Sequence, residues 1–579
     1  MRQIHGENLF HLNWLYGVFE RVWIPMAVNK NANQPVEKSD LINIAILLSI
    51  SLGIGVYLIA TTVLISQDGT LHIELAQILS SGQVDSIKGQ PLGYSFLVCV
   101  AHKLFGFFGN SCSVYGWIYS AQTVTLLCRL LTLIALYFTG KLLLGRKESF
   151  WAILILIMLP YPARFGSDVL KDWPHLLFLS IGFLFLLLGA NRRKLYAFGV
   201  AGAAAGLGHM IRAECTQIII YGVLWLTANF FWKKRIISRP QTLAAFALLL
   251  IGFTIPSVPY WMTGGPAFPP QIKELFNSSG NACPNEEECL SVRFESSDKQ
   301  TAAISIGDAA KGFAMLGKKV SENLSVFFVP ALFLGMYHHL RRQVRYREDF
   351  LILAFTLFNI TIMVLLYCIR GYISKRHCMP LVALTIFYVP SGLQIIGNWL
   401  AGRFFKVKSD NNSSLEKQRL CFLVLVVTGL CICLPKLLRP MRMEKQGYRD
   451  AAKWLKDNTT QGDIAAVPDK RISFYAERNG LEYEDANIPA EVVCVVKNVR
   501  NEEEKLNFEK LFPGRAMQEE LWFWTDTRKK KEKLVIYRIM RPKASAPAIG
   551  FGPPQSAQIR VGLLAFPQKH KRNRPCQDV

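Results

Sequence analysis

The chain has 579 residues, 51% of them hydrophobic, with a mean hydropathy of +0.23 and a formal net charge of +24. That apolar content excludes a single small soluble domain. The basic residues are strung between apolar runs instead of gathered on one aromatic-laced face, which excludes a nucleic-acid binder.

In chain order, residues 1–40 place Phe10, Trp14, Tyr16, Phe19 and Trp23 among polar neighbours and carry no cleavable signal, as in a cytoplasmic helix lying at the interface. Apolar runs follow near 41–65, 120–143, 149–165, 172–189, 195–210, 215–232, 242–262, 324–340, 350–370, 377–398 and 419–438. They predict an α-helical polytopic membrane protein with about eleven transmembrane helices. Basic clusters at Lys141/Arg146/Lys147, Arg192/Arg193/Lys194, Lys233/Lys234/Arg235/Arg239, Arg341/Arg342/Arg345/Arg347 and Arg403/Lys406/Lys408/Lys417/Arg419 fall in every second loop. By the positive-inside rule the N-terminus is cytoplasmic and the C-terminus outside.

Three stretches then face outward. Residues 66–119 include the amphipathic pattern Leu71-His72-Ile73-Glu74-Leu75-Ala76 and a run at 95–108 too short to span comfortably, both read as surface helices. Residues 263–323 form a long polar loop. Cys283 and Cys289 lie in it, apart from the cysteines of the apolar runs; a disulfide and two free thiols are both consistent with their placement. Residues 439–542 predict a small mixed α/β domain, with a helix at 448–455 and strands near 463–468, 491–497 and 533–540. Residues 543–579, rich in Pro, Ala, Gly and basic groups, read as disordered.

Ionisable residues collect where spans meet the outer face. Ser66-Gln67-Asp68-Gly69 follows the first span, and Asp168, Asp172 and Glu214 recur at later outer ends with Arg212 and Arg376 interleaved. Charges at that depth are expensive and point to function. A phosphate-linked sugar lipid would need a carboxylate to deprotonate an acceptor hydroxyl and cations to stabilise the departing phosphate. Plainer readings stand beside this one: Asp68 or Asp172 as a helix cap, Arg212 and Arg376 as snorkelling anchors, and Arg129, two turns inside its span, as half of a structural ion pair. Glu74 and His72 fit the polar face of a surface helix. No paired CxxC or other metal-ligand spacing occurs.

The order of several short segments resembles the GT-C superfamily of polyprenyl-phosphate-sugar-dependent glycosyltransferases. The bacterial relatives of protein O-mannosyltransferases and of the lipid A aminoarabinose transferase are the most similar. The segments are Asp68 opening the first outer loop, Gln90-Pro91-Leu92-Gly93-Tyr94, Arg129-Leu130, Lys171-Asp172-Trp173-Pro174, Arg212-Ala213-Glu214 and Lys375-Arg376-His377-Cys378-Met379-Pro380. The tail stretch Trp454-Leu455-Lys456-Asp457-Asn458, continuing to Ile472-Ser473-Phe474-Tyr475-Ala476, completes the set, and the resemblance covers roughly residues 41–480. Gly69 stands where many members have a second acid, and Gly89-Gln90-Pro91 replaces a His-Pro-Pro.

The resemblance implies a GT-C fold over 41–438 and transfer of a sugar from a polyprenyl-phosphate carrier to an extracytoplasmic lipid, protein or polysaccharide. It implies Asp68, with Asp172 or Asp168, as catalytic acids, and Arg212, Arg376, Lys375 and Arg129 on the donor phosphate. Glu214, Glu74 and Tyr94 would stand on the acceptor side or behind the site. It implies a multi-pass protein of the bacterial inner membrane, with membrane lipids around it and no nucleic-acid partner. It names no certain cofactor and leaves a divalent metal open. A lipid-linked-sugar transporter or flippase and an inactive GT-C-like scaffold are the rival readings.

Overall fold

The computed structural model describes residues 37–83, 90–106, 113–232, 235–265, 306–342, 349–405, 412–483, 488–489, 491–505 and 517–540. The predicted interfacial segment before residue 37, the Cys283–Cys289 pair and the basic tail beyond 540 lie outside them. Two compact units emerge. The first comprises Met1–Ala60, Leu75–Phe108 and Tyr119–Arg439; the second comprises Thr61–Glu74, Gly109–Ile118 and Pro440–Val579, each over its described residues.

The first unit is helical. In chain order, numbering the described helices, it contains α1 (Lys38–Ala60), α2 (Gln67–Ser81), α3 (Gly93–Gly106), α4 (Val114–Leu143), α5 (Arg146–Met158) and α6 (Pro160–Phe165). Then come α7 (Asp172–Arg192), α8 (Leu195–His209), α9 (Gln217–Phe231), α10 (Arg239–Met262), α11 (Ile306–Asn323) and α12 (Val329–Arg342). It closes with α13 (Asp349–Arg370), α14 (Met379–Thr385), α15 (Tyr388–Phe405) and α16 (Asn412–Leu437). The first turns of α2 and α4 fall in the second unit.

Each of the eleven apolar runs is helical, but not each as one long span. Six described helices are long and apolar enough to cross a membrane, or seven if α14 and α15, bent by 56°, make one span. The 149–165 run breaks at Leu159, whose backbone is extended at φ −65°, ψ 125°. A residue before proline is pushed out of the helical region, and Pro160 follows. The 324–340 run starts only at Val329, because Ser325 and Val326 take φ of 56° and 60°. The helices α8 and α9, of 15 residues each, reach about 22 Å, short of a ~30 Å core.

The expected outer loop at 263–323 is corrected in its last third, which is the helix α11. Leu316 is buried there, with Ala309, Met315 and Val320 packed against the core. A three-to-four-residue apolar spacing is the helical signal that the Gly/Pro/Ser content upstream obscures.

Close backbone approach explains the short, glycine-rich α8. A Cβ at Gly202 would strike the carbonyl of Leu249, and one at Gly206 the carbonyl of Phe253, so α8 lies directly on α10. Small residues four apart permit this in a bilayer, where packing replaces the hydrophobic drive. Asp40 is fully buried and gathers Lys141 (2.6 Å), Tyr137 (2.9 Å) and Arg146 (2.9 Å), tying α1 to α4 and α5.

The second unit holds α17 (Gln446–Asn458), α18 (Lys470–Ala476) and the strands β1 (Ile464–Val467), β2 (Asn479–Glu482), β3 (Val492–Val499), β4 (Met517–Trp524) and β5 (Lys533–Ile539). Their sheet order is β2-β1-β3-β5-β4; the β1 pairings are parallel and those of β5 antiparallel. Ala466, Val492, Val495, Val499, Val535 and Tyr537 form its core.

This unit also grips the chain just ahead of α2. Arg449 donates to the carbonyls of Thr62 and Val63 (3.3 and 3.1 Å), Arg442 to that of Leu64 (2.9 Å) and Arg471 to that of Ile65 (3.0 Å). The Ile65 amide donates to the Tyr475 hydroxyl (3.1 Å). Backbone groups of a buried, irregular segment must find partners, and here the tail supplies them.

Candidate functional site

The stretch between α6 and α7 delivers an acid to the start of a buried helix, and α4 holds it there. Gln122 donates to the Ser167 carbonyl (3.2 Å) and Thr125 to that of Leu170 (3.4 Å). Asp172 then enters the first turn of α7, where the helix dipole favours a carboxylate. It is 3% exposed, and both its oxygens are engaged: Oδ1 by Arg212 Nη1 at 2.9 Å, Oδ2 by Arg376 Nε at 2.7 Å. Arg212 turns its Nε to Glu214 Oε1 at 3.2 Å.

Two carboxylates therefore meet two guanidiniums, brought from three chain segments. Each Asp172 oxygen meets one guanidinium, the geometry of a clamp fixing the direction of both arginines. The outer members are more open, Arg376 at 28% and Glu214 at 39%.

Burial pushes the Glu214 carboxyl upward, but the Arg212 guanidinium outweighs it and holds it down to about 2. A depressed acid stabilises the fold above its unfolded value, roughly 4.3, and loses that contribution as pH falls toward 2. The melting temperatures of wild type and Glu214→Gln should therefore differ by a constant amount above about pH 5 and converge in acid. A gap that stays flat or widens down to pH 3 would refute the pairing.

Two histidines flank this cluster. Among the described residues, His175 Nε2 and His377 Nδ1 are buried without a hydrogen-bond partner.

The other expected site residues sit elsewhere. Asp68 lies exposed in the first turn of α2, in the second unit. The cap there is Ser66, whose hydroxyl accepts the Gly69 amide at 3.1 Å, which weakens the capping explanation for Asp68. Glu74, in the same unit, pairs with Lys470 at 2.8 Å.

Asp168 is buried and accepts the Val169 amide at 2.8 Å. Arg129 is completely buried under Trp173 and donates to the Ile157 and Ala163 carbonyls at 3.3 and 3.4 Å, where α5 breaks into α6. Tyr94 is core, its hydroxyl 2.8 Å from Thr125 Oγ1. Lys375 points not to Asp172 but to Tyr161 (2.5 Å) and Glu322 (2.9 Å). Sequence reasoning missed Tyr161, Lys436, Glu322 and the tail arginines. Each is an ordinary residue at a helix end, and only the fold makes it informative. No three His, Cys, Asp or Glu side chains among the described residues stand close enough to hold a metal ion.

Residues 89–261 match the family model for dolichyl-phosphate-mannose-protein mannosyltransferase, a stretch that includes Asp172, Arg212 and Glu214. The structure aligns with ArnT from Cupriavidus metallidurans bound to undecaprenyl phosphate at TM-score 0.54 and 14% identity, over 86% of this chain and 98% of that one. The fold is that of the GT-C glycosyltransferases. The apo form of ArnT aligns at TM-score 0.53 and 14% identity, over 85% and 97% of the two chains. The apo oligosaccharyltransferase of Archaeoglobus fulgidus aligns at TM-score 0.49 and 11% identity, over 79% and 69%. No curated protein matches the chain in sequence. The chain is a multi-pass membrane protein of this fold, and its buried acid–arginine clamp lies within the family-matched region and the segment before α14.

Proposed function

We propose that this protein is a membrane glycosyltransferase that moves a sugar from a polyprenyl-phosphate carrier to an acceptor outside a bacterial inner membrane. The observation that carries the reading is the Arg212–Asp172–Arg376 clamp in a chain whose fold matches a protein crystallised with undecaprenyl phosphate. In the reaction the acceptor hydroxyl oxygen bonds to the anomeric carbon, and the bond from that carbon to the lipid phosphate breaks. The phosphate leaves with the electron pair, and a carboxylate takes the hydroxyl proton. Asp68, exposed at a helix start, is the base. The arginines oriented by Asp172 stabilise the leaving phosphate. The apolar runs cross the membrane eleven times, the short helices included, so that the tail lies outside with Asp68, and residues 439–542 are the outer domain.

The test uses the protein in lipid discs with a panel of labelled undecaprenyl-phosphate sugars, following sugar release for wild type and Asp68→Asn. Release by wild type and at least a hundredfold loss in the folded variant is the expected result. Equal release by both would remove Asp68 from the chemistry. Binding without release from any donor would favour the scaffold, whose one sequence hint is Gly69 in place of a second acid.

A further inference from the structure

Between β4 and β5 the chain reads Thr525-Asp526-Thr527-Arg528-Lys529-Lys530-Lys531-Glu532, and its own polar groups fix the turn. The Asp526 carboxylate accepts the Arg528 amide at 2.9 Å, and the Asp526 carbonyl accepts the Lys530 amide at 2.9 Å. The Thr525 amide donates to the Glu532 carbonyl, also at 2.9 Å, and closes the base of the hairpin. Lys530 takes a φ of 46°, a left-handed position that glycine or asparagine fills more easily. A lysine therefore stands where the backbone alone asks for a smaller residue. Thr527, Arg528, Lys529, Lys530 and Lys531 are all exposed.

Other basic residues of this unit have acids: Lys445 pairs with Asp469 (3.2 Å), Lys456 with Glu477 (2.7 Å) and Arg538 with Glu520 (3.1 Å). Among the described residues no carboxylate pairs with the side chain of Arg528, Lys529, Lys530 or Lys531. The two acids within the turn are engaged, Asp526 by the backbone and Glu532 by Arg500 at 2.7 Å. Four adjacent like charges repel one another, and an anionic surface relieves that repulsion. Beside them, the edge strand β4 carries Trp522 and Trp524 on one face, their ring centres 5.5 Å apart. Trp524 stands opposite Lys533 in the ladder, so the aromatic pair begins at the base of the turn. Trp522 is 41% exposed, as is Leu521. The Lys533 Nζ lies over both rings, 4.7 Å from the centre of Trp522 and 5.6 Å from that of Trp524.

We propose that this hairpin docks on the anionic head groups of a lipid bilayer, with Arg528, Lys529, Lys530 and Lys531 on the phosphates and Trp522 and Trp524 at head-group depth. Tryptophan favours that depth because its ring is apolar while its N–H stays wet. Each basic residue near an anionic bilayer surface strengthens attachment roughly fivefold. A charged saccharide is the other polyanion that suits such a tip, and the rings argue against it. A sugar stacks on an open aromatic face, whereas Lys533 already lies over both tryptophans. Connectivity favours the bilayer as well. Only residues 438–445 separate α17 from α16, a helix long and apolar enough to cross a membrane, and they reach at most about 30 Å. The docking surface requires neither sugar transfer nor a particular side of the membrane for the tail.

The test follows amide hydrogen exchange of the full chain in discs of phosphatidylcholine alone and in discs with about 30% phosphatidylglycerol, whose added charge is the only difference. Exchange across residues 525–533 should slow by at least about tenfold in the anionic discs, and about 0.5 M salt should abolish the difference. Lys530→Gln should reduce that protection roughly fivefold, and Lys530→Arg should keep it. The triple variant Lys529→Gln/Lys530→Gln/Lys531→Gln should lose it altogether, and Trp522→Ala should weaken it severalfold. Amides of the buried β5 residues Leu534 and Ile536 report in the same experiment that each variant remains folded. Equal exchange of the hairpin in both kinds of disc overturns the proposal, as does full protection in the folded triple variant. Protection by an added polyanionic glycan in phosphatidylcholine discs, with none from phosphatidylglycerol, also overturns it and gives the surface to a saccharide.

Discussion

Asp172→Asn should destabilise the protein by about 3–5 kcal/mol, the range for removing one partner from a buried ion pair. The reason is the two guanidiniums left behind. Arg212 retains Glu214, but Arg376 loses the carboxylate recorded as its partner, and an amide offers one acceptor oxygen where two were used. The catalytic effect should be comparably large. Misplacing a positioning group by an ångström can lower the rate about a hundredfold, so the turnover of any surviving Asp172→Asn protein should fall by at least that much. Asp172→Glu separates the contributions: it retains the charge, lengthens the arm by one methylene, and should recover stability better than rate. Denaturant unfolding in detergent checks the first statement and single-turnover kinetics the second. A stable, active Asp172→Asn protein would mean that the arginines are oriented by something other than this acid.

The second large effect is expected from a residue far along the chain. Arg471 is 3% exposed, forms a two-pronged pair with Asp469 (2.8 and 2.5 Å) and donates to the Ile65 carbonyl, three residues before Asp68. Arg471→Met removes that donor and leaves Asp469 to Lys445 alone (3.2 Å), so the 62–65 segment loses its register and α2 its starting point. The expected result is a fall of about a hundredfold in kcat with donor affinity unchanged. Lys at this position cannot reproduce a fork geometry and should rescue only in part. A double-mutant cycle makes the claim specific. If Arg471 acts through Asp68, adding Arg471→Met to Asp68→Asn should cost little further rate. Full additivity would reduce Arg471 to a stabilising residue of the tail.

Much of this was legible in the sequence, and the exceptions have physical causes. Hydropathy located each of the six described helices long and apolar enough to cross a membrane, because apolar content survives folding. It could not see the break before Pro160 or the turn at Ser325–Val326, where backbone angles rather than polarity decide. Asp172, Arg212, Glu214 and Arg376 stood out as charges at the ends of apolar runs. That Arg376 and Lys375 would serve different partners was invisible, since two adjacent residues leaving α13 differ only in the direction the turn gives them. Tyr161 and Lys436 carried no signal of their own in the sequence, and the strand β4, an acidic edge strand, carried no clean alternation. The grip on residues 62–65 was hidden most completely, because nothing local to Asp68 mentions the arginines that hold its neighbours.

That grip also sets a timetable. The Ile65–Arg471 contact spans 406 residues of sequence, and at 5–20 residues per second a ribosome needs roughly 20–80 s to reach the second partner after making the first. During that interval the bundle can insert helix by helix while the segment leading to Asp68 has no fixed backbone. The base would be the earliest candidate residue made and among the last put in order. A chain ending prematurely in the tail would therefore be integrated, abundant and inert, and would escape the quality control that recognises failed insertion.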